Sequence, residues 1–347
     1  MLSNGRRLPQ ASDEPAAEDN TVTIVCVAYI RHAAQRYSDS EIDTIRRAIR
    51  HVRKLYGSEP AEAFGPKRLR AVRQSMIEAG WSRSHINKQV SRVRQAFKWA
   101  ASHELCSERV YRRLATVEAL ARGEAPDRDR VKPVPRHHIR RIRNRRNMTR
   151  PVRALIDLQL LTGARADELI RLRACDLDTS DRRCWTVTYD GSTDEKQHKT
   201  AHHGKARVLY FGPKAQRILR LFITTERPTD QPLFSPRESN AEAKARLATK
   251  GRGRRPNQKP NVPQTSRTIA RQYTTASYRR QIHRLCEREG IPVWGPHRLR
   301  HNAATYLRRD FGLEVASIVL GHSSLVITQT YAEQNDRKAR AVIAKVG

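Results

Sequence analysis

The stretch ARGEAPDRDRVKPVP, residues 121–135, most constrains the fold of this chain, because it interrupts every regular pattern around it. Its prolines, its glycine and its mixed charges are incompatible with a continuous helix. At 347 residues the chain is long enough for two domains, each burying its own core. We therefore predict a linker at 126–135, between one domain at 21–125 and a second at 136–335.

Residues 21–125 show helical periodicity combined with positive charge. In the stretch 82–100, apolar residues recur at helical spacing, at Ile86, Val90, Val93 and Phe97. The stretch 41–57 repeats this pattern and ends at Gly57. Small basic helices of this kind indicate a clamp around DNA, although an ordinary helical domain with solvated charged faces gives the same pattern. The candidate DNA contacts are Lys88, Arg92, Arg94 and Lys98.

Residues 136–335 combine helices with two strands. The stretch PVRALIDLQLLTGAR, 151–165, carries leucine and isoleucine on nearly every side, including Leu160 and Leu161, which predicts a helix buried in a larger core that ends at Gly163. CWTVTYD and ARVLYFG alternate β-branched and aromatic residues with others, as strands do. The predicted fold is mainly α with a small antiparallel β-sheet, a helical domain being followed by a mixed α+β domain.

Three further segments are predicted to lie outside these two cores. Residues 1–20 are acidic and polar, and we expect them to be disordered. Residues 236–267 have low apolar content with repeated Gly, Pro and Arg, which indicates a flexible basic insertion. Residues 336–347 are expected to form a short tail helix, which packs either on its own domain or on a neighbouring protomer.

The charge of the chain indicates a polyanionic partner. Lys and Arg number 68 against 35 Asp and Glu, a formal net charge of +33. Such a surface favours nucleic acid, and the basic residues run through the whole chain instead of forming a tail. The five cysteines are scattered and lack the spacing of a zinc site, which fits a reduced cytoplasmic protein. We expect no metal and no other cofactor, since the histidines His198, His202 and His203 are not completed by an acid or a cysteine.

The most informative motifs lie in the last third of the chain. They are GPHRLRHNAATYLRR at 295–309 and LGHSSLVITQTYAE at 320–333. If the first forms a helix, His297, Arg300 and His301 share one face, and Leu299 and Ala303 point nearly the opposite way. We expect the first face to present its imidazoles and guanidinium, and the second to pack.

These residue types suit attack on a phosphodiester. Charge builds on the nonbridging oxygens at phosphorus, and planar guanidinium groups are apt donors to them, for which Arg165 and Arg300 are the candidates. Tyr331 is the candidate nucleophile, and His297 is the possible base that takes its proton.

The remaining roles fall to neighbouring motifs. The leaving deoxyribose oxygen needs a proton, which we assign to Lys199 in preference to Lys205. His322 is expected to donate to a nonbridging oxygen. Glu168, about one helical turn from Arg165, is expected to hold that arginine or an imidazole in place.

Together these motifs resemble the tyrosine recombinases, also called phage integrases. TGARADELIRL is similar to the first arginine box of the family, HRLRH to its His-x-x-Arg box, LGHSS to its second histidine box and TQTYAE to its nucleophile box. HKT at 198–200 is similar to the lysine segment of the family, although the loop here is longer, with AHHG before Lys205.

The resemblance implies DNA strand exchange without metal or ATP. Tyr331 would form a 3′-phosphotyrosyl bond and release a 5′-hydroxyl, which then attacks the partner strand. It also implies a helical core-binding domain, a catalytic domain of the DNA breaking-rejoining type, and a homotetramer on two duplexes. Two alternatives differ in outcome. A type IB topoisomerase would relax supercoils, and a non-catalytic regulator would only bind DNA.

Overall fold

The computed structural model describes residues 20–146, 148–192, 206–248 and 268–321. The chain divides into two compact units, Met1–Arg130 and Val131–Gly347. The predicted disordered segment 1–20, apart from Asn20, and the predicted tail 336–347 lie outside the described residues. Among the residues that are described, no helix is long and apolar enough to cross a membrane.

The named elements in the described part of the first unit are all helices. Its elements are α1 (Val22–Ala34), α2 (Asp39–Tyr56), a 3₁₀ turn (Ala61–Ala63), α3 (Pro66–Glu78), α4 (Arg83–Ser102) and α5 (Glu108–Ala115). The apolar stripe predicted for α4 is confirmed, because Ile86, Val90, Val93 and Phe97 are all buried. Phe97 stacks on Phe64 with ring centroids 4.7 Å apart, at the centre of this core.

The segment after α5 belongs partly to each unit. Asn87 of α4 donates to the carbonyl of Leu120 at 3.1 Å and accepts from its N–H at 2.8 Å. Asp127 receives a bond from the Arg83 side chain at 2.9 Å, whereas Val134 is bound by Asn302 of the second unit. The stretch that connects the units is therefore shorter than the predicted linker 126–135, since both of its ends are hydrogen-bonded to a domain.

In its described residues the second unit mixes helices with a two-stranded sheet. Its elements are α6 (Arg136–Arg143), α7 (Arg150–Thr162), α8 (Ala166–Ile170), a 3₁₀ turn (Ala174–Asp176), β1 (Trp185–Tyr189), β2 (Arg207–Phe211), α9 (Pro213–Arg220), α10 (Pro236–Ala248), α11 (Thr275–Glu289), α12 (His297–Phe311) and α13 (Leu313–Leu320). The strands are antiparallel, with Trp185 opposite Phe211 and Tyr189 opposite Arg207. The predicted fold class is confirmed.

Helix α7 crosses the centre of the second core. Leu155, Ile156 and Leu158 are fully buried, and Gly163 ends the helix in the left-handed conformation with φ 64°, as predicted. The predicted burial was wrong for Leu161, a residue that is 43% exposed.

The first part of the predicted flexible insertion, 236–267, is a helix. Residues Pro236–Ala248 form α10, which packs against α7. Thr149, at the N-terminus of α7, shares a 3.0 Å hydrogen bond with Ser239, and Tyr273 donates to the same Ser239 hydroxyl at 2.7 Å. These bonds anchor a segment whose polar composition alone indicated a loop. Residues 249–267 lie outside the described part of the chain.

Candidate active site

The candidate site is built around the turn between α7 and α8, residues 162–165. The Thr162 hydroxyl donates to the Leu158 carbonyl at 2.7 Å and accepts from the Ala164 N–H at 3.2 Å. The buried Gln159 amide donates to the Ala164 carbonyl at 3.3 Å. The side chains of Thr162 and Gln159 thus tie the turn to the last part of α7, which fixes the backbone position of Arg165.

Arg165 and Glu168 form a closed pair at the start of α8. One Glu168 oxygen accepts from the backbone N–H of Arg165 at 2.8 Å, and the other accepts from its guanidinium at 2.7 Å. Glu168 is buried, whereas the Arg165 side chain is 22% exposed. The carboxylate therefore caps the helix and orients the guanidinium, and the accessory role of Glu168 in catalysis stays a prediction.

Glu168 is ionised in spite of its burial. Burial alone would raise its pKa, but the guanidiniums of Arg207 and Arg165, the backbone N–H of Arg165 and then Arg300 outweigh that effect. The resulting pKa lies below the ordinary value. One carboxylate is therefore surrounded by three cations, so this cluster of side chains carries net positive charge and suits an anionic ligand.

Arg300 lies inside the protein and not on an open face. Its residue is 1% exposed, and its Nη1 and Nη2 donate to the carbonyls of Gly163 and Leu320, each at 2.7 Å. The prediction that one face of α12 packs while the other presents its polar groups was therefore wrong for this residue. The guanidinium joins the α7–α8 turn to the end of α13, so its plane is fixed by backbone on both sides.

The two histidines of α12 differ in exposure. His297, the first residue of the helix, is exposed, and its ring meets His301 edge to face with centroids 5.3 Å apart. His301 is 8% exposed, and burial, helped by His297, Arg298 and Arg300, lowers its pKa to about 4. His301 is therefore neutral at physiological pH, and its ring packs against that of His297 without adding charge.

The described residues bring together Arg165, Glu168 and Arg300, with His297 at the start of the helix that carries Arg300. The other predicted members, Lys199, Lys205, His322 and Tyr331, lie outside the described residues. Gly321, the last described residue before His322, ends α13 with φ 62°. The predicted roles of this set stay predictions.

Sequence reasoning missed two residues that support this cluster. Tyr189 of β1 donates to the Glu168 carbonyl at 2.7 Å, and Arg207 of β2 lies with its Nε 3.5 Å from a Glu168 oxygen. A signal for Arg207 was present. It occupies an inward position of an alternating strand, on the same side as Leu209 and Phe211, where an arginine is buried only with partners.

The cations predicted to contact DNA lie along α4 in different surroundings. Lys88 and Lys98 are exposed, and the Lys98 ammonium lies 5.7 Å from the centroid of the Tyr111 ring. Arg92 donates to Glu41 at 2.5 and 3.0 Å, and Arg94 donates to the Val117 carbonyl at 3.2 Å. The two arginines thus bind within their own unit, which sequence spacing did not indicate.

No group of three or more His, Cys, Asp and Glu side chains within the described ranges could hold a metal ion. The histidines His198, His202 and His203 lie outside those ranges.

A comparison with known protein families identifies the family of this chain. The family model described as the phage integrase family matches residues 137–338, which include the turn 162–165, Arg300 and Tyr331. The chain belongs to the phage integrase family. The resemblance drawn from its arginine, histidine and tyrosine boxes is confirmed at the level of the family.

Individual relatives of this integrase-family chain agree with the match. The "Tyrosine recombinase XerC" of Mycobacterium sp. (strain KMS) is 31% identical over 191 residues, which cover 55% of this chain and 51% of the relative. This chain thus spans about half the length of the curated relatives that it matches.

Solved structures show the same fold over most of this integrase-family chain. The Tn1549 transposon integrase, in complex with a circular intermediate DNA, has a TM-score of 0.65 and 17% identity, covering 94% of this chain and all of that chain. A lambda integrase tetramer bound to a Holliday junction has a TM-score of 0.63 and 15% identity, covering 91% of this chain and 79% of that chain. At these identities the likeness shows the fold.

Proposed function

We propose that this protein is a site-specific DNA recombinase that cleaves and rejoins strands through a covalent 3′-phosphotyrosyl intermediate on Tyr331. The observation that carries the proposal is the cluster of Arg165, Glu168 and Arg300, which fixes two guanidiniums and net positive charge at one place. Membership of the phage integrase family, whose model spans Tyr331, supports it independently.

The proposed reaction conserves the energy of the phosphodiester. The Tyr331 oxygen loses its proton to a base, for which His297 is the candidate, and bonds to phosphorus. The bond from phosphorus to the 5′ oxygen breaks, and that oxygen takes a proton from Lys199, or from Lys205 as the alternative. A 5′-hydroxyl of the partner strand then attacks the phosphotyrosine and releases Tyr331. The proposed reaction therefore requires neither a metal nor ATP.

Arg165 and Arg300 stabilise the transition state in this proposal. Negative charge grows on the nonbridging oxygens during attack, and fixed donors stabilise it without reorganisation, typically by about 3–4 kcal/mol for one donor. Arg165 is held by Glu168 and partly exposed, so its guanidinium can meet a phosphate at the surface of the unit. His322 is proposed as a further donor, and Glu168 acts as the accessory group.

The proposed partner is double-stranded DNA, bound by a homotetramer that holds two duplexes, in the cytoplasm. The net charge of +33 supports DNA as the partner. The first unit is proposed as the core-binding domain, and Lys88, Arg92, Arg94 and Lys98 as its contacts. Because Arg92 is bound to Glu41, we expect Lys88 and Lys98 to contribute more to phosphate binding than Arg92.

The proposal is tested by strand transfer. The protein is first used to select bound fragments from the host genome, and a supercoiled plasmid is built with two direct copies of the selected sequence. A recombinase deletes the segment between the copies and joins the ends. Tyr331→Phe serves as the matched control, because it removes the nucleophile and leaves the remaining residues unchanged.

The three functional hypotheses give different products in this assay. Deletion circles that depend on Tyr331 support the recombinase. Relaxed plasmid without deletion, on any sequence, would show the type IB topoisomerase alternative. Binding without either product would show a non-catalytic regulator and overturn the proposal.

A further inference from the structure

The buried arginine of β2 has no role in the proposed chemistry, although it lies next to the site. The Arg207 side chain is 3% exposed, and Leu209 and Phe211 share its inward side of the strand. Burial lowers the pKa of its guanidinium and Glu168 opposes that effect, and an arginine remains protonated under such conditions. A buried cation is tolerated only where specific partners hold it.

The first partners of Arg207 are backbone carbonyls. Its Nη1 donates to the Val319 carbonyl and to that of Val208, each at 2.9 Å. Val319 lies in the last turn of α13, where carbonyls lack partners within the helix. The next carbonyl along the chain, that of Leu320, accepts from Arg300. Two buried guanidiniums therefore hold consecutive carbonyls at the end of α13.

The second partner of Arg207 is the carboxylate that holds Arg165. Its Nε lies 3.5 Å from the Glu168 oxygen that accepts from the Arg165 guanidinium at 2.7 Å. This separation makes an ion pair and is too long for a strong hydrogen bond. Among the cations that lower the pKa of Glu168, Arg207 has the largest effect. The same guanidinium thus acts on α8 and on α13.

Gly321 shows how closely the end of α13 approaches this guanidinium. A Cβ at position 321 would lie 2.6 Å from Arg207 Nη1 and 2.7 Å from its Cδ, which is shorter than any normal contact. Gly321 also has φ 62°, a conformation that glycine adopts readily. The residue directly before His322 is therefore packed on Arg207 with no intervening side chain.

We propose that Arg207 is a positioning residue, whose guanidinium fixes the end of α13, and with it the start of the chain that leads to His322, relative to the Glu168–Arg165 pair. This inference rests on the proposed function for its effect on catalysis. Arg207 also lies two positions after Lys205, at the start of β2, so the strand that follows the predicted lysine segment is fixed by the same group.

The test separates positioning from folding and from DNA binding. The variants are Arg207→Met, which removes the donors, and Arg207→Lys, which keeps the charge and loses the planar fork. The matched control is Arg227→Met. Arg227 also joins a carbonyl, that of Pro232 at 2.8 Å, to a carboxylate, that of Glu238, and it is bonded to none of the predicted site residues that the structure describes. The probe is a pool of short nicked duplexes with a randomised central sequence.

Both the rate of detergent-stable adduct formation and the affinity for the duplex pool are measured. We expect Arg207→Met to lower the rate on the order of 10²-fold, because a misplacement of about 1 Å has that effect, while affinity is retained. In Arg207→Met the pKa of Glu168, measured by NMR of the carboxyl carbon, should rise. Arg207→Lys should have the low pKa of the wild type but the slow adduct formation of Arg207→Met. Arg227→Met should have the wild-type rate.

Several outcomes would overturn the inference. They are a wild-type rate in Arg207→Met, full rescue of the rate by Arg207→Lys, and equal loss of rate and affinity. An equal effect of Arg227→Met would assign the loss to general destabilisation and also overturn it. If the wild-type protein itself forms no adduct, the proposed function fails instead. In that case, unchanged amide exchange of Gly321 and an unchanged Glu168 pKa in Arg207→Met would overturn the structural part.

Discussion

Replacing Gly163 by alanine tests whether the junction of α7, α12 and α13 is packed as described. Gly163 has φ 64°, and a Cβ there would lie 2.5 Å from Leu320 Cδ2 and 3.5 Å from Ala303 Cβ. A non-glycine residue in this conformation costs about 1–2 kcal/mol. Overpacking typically costs about 1–3 kcal/mol more. Leu320 cannot move aside easily, because its side chain is buried and its carbonyl is held by Arg300.

Gly290 provides the matched control. It ends α11 in the same conformation, with φ 60°, and a Cβ there would meet no atom within 4 Å. Gly290→Ala should therefore cost only the backbone term of about 1–2 kcal/mol, and Gly163→Ala a total of about 2–5 kcal/mol. The difference isolates the close approach of Leu320.

Urea unfolding monitored by tryptophan fluorescence measures both costs. Trp185 and Trp294 are buried in the second unit, so Trp81 and Trp99 of the first unit are replaced by Phe in every variant. In a Leu320→Ala background the steric part should vanish, and Gly163→Ala should then resemble Gly290→Ala. Equal costs of the two glycine substitutions in the wild-type background would refute the packing described for this junction.

Three further predictions concern groups around the same site. Glu168 has a folded pKa below its ordinary 4.5, so the stability it contributes is complete above that pH and is lost as the pH falls through the folded pKa. Below pH 4.5 the wild type should lose more unfolding free energy than Glu168→Gln; parallel curves would contradict this. His301 should titrate near pH 4 by NMR, whereas an ordinary histidine titrates near 6.5. Because the unfolded chain binds this proton at the higher pH, the free energy of unfolding should decrease as the pH is lowered from about 6.5 to about 4. Asn302→Ala should lower the free energy of unfolding by about 1–3 kcal/mol and speed amide exchange at Val134. The Asn302 side chain accepts from the Val134 N–H at 2.8 Å and donates to the Val134 carbonyl at 2.7 Å. Unchanged exchange at Val134 would contradict this prediction.

The sequence predicted elements best where one periodicity ran without interruption. The buried stripe of α4 and the strands β1 and β2 follow from helical spacing and from alternation, which are local properties. The same approach failed for α10, because its anchoring bonds to Thr149 and Tyr273 join residues far apart in the chain. Composition cannot reveal such partners.

For the site, the sequence predicted which residue types assemble better than how they are held. Arg165, Glu168 and Arg300 were predicted as one group, and they do lie together. The burial of Arg300 was not predicted, since helical geometry places a residue on a face without saying whether another element covers that face. Here the carbonyls of Gly163 and Leu320 cover it, and both come from other elements. Arg207 was missed although its inward position in the alternating strand β2 was a signal of burial, because the partners that hold it come from α8 and α13.

The most direct test of the proposed catalysis is the identity of the atom that becomes bonded to DNA. The wild-type protein is incubated with nicked duplexes of the selected sequence, digested, and searched by mass spectrometry for a nucleotide-bearing peptide. We expect this peptide to carry the nucleotide on Tyr331, and Tyr331→Phe to form no adduct while still binding the duplex. An adduct on another residue, an adduct formed by Tyr331→Phe, or none with the wild type would contradict it.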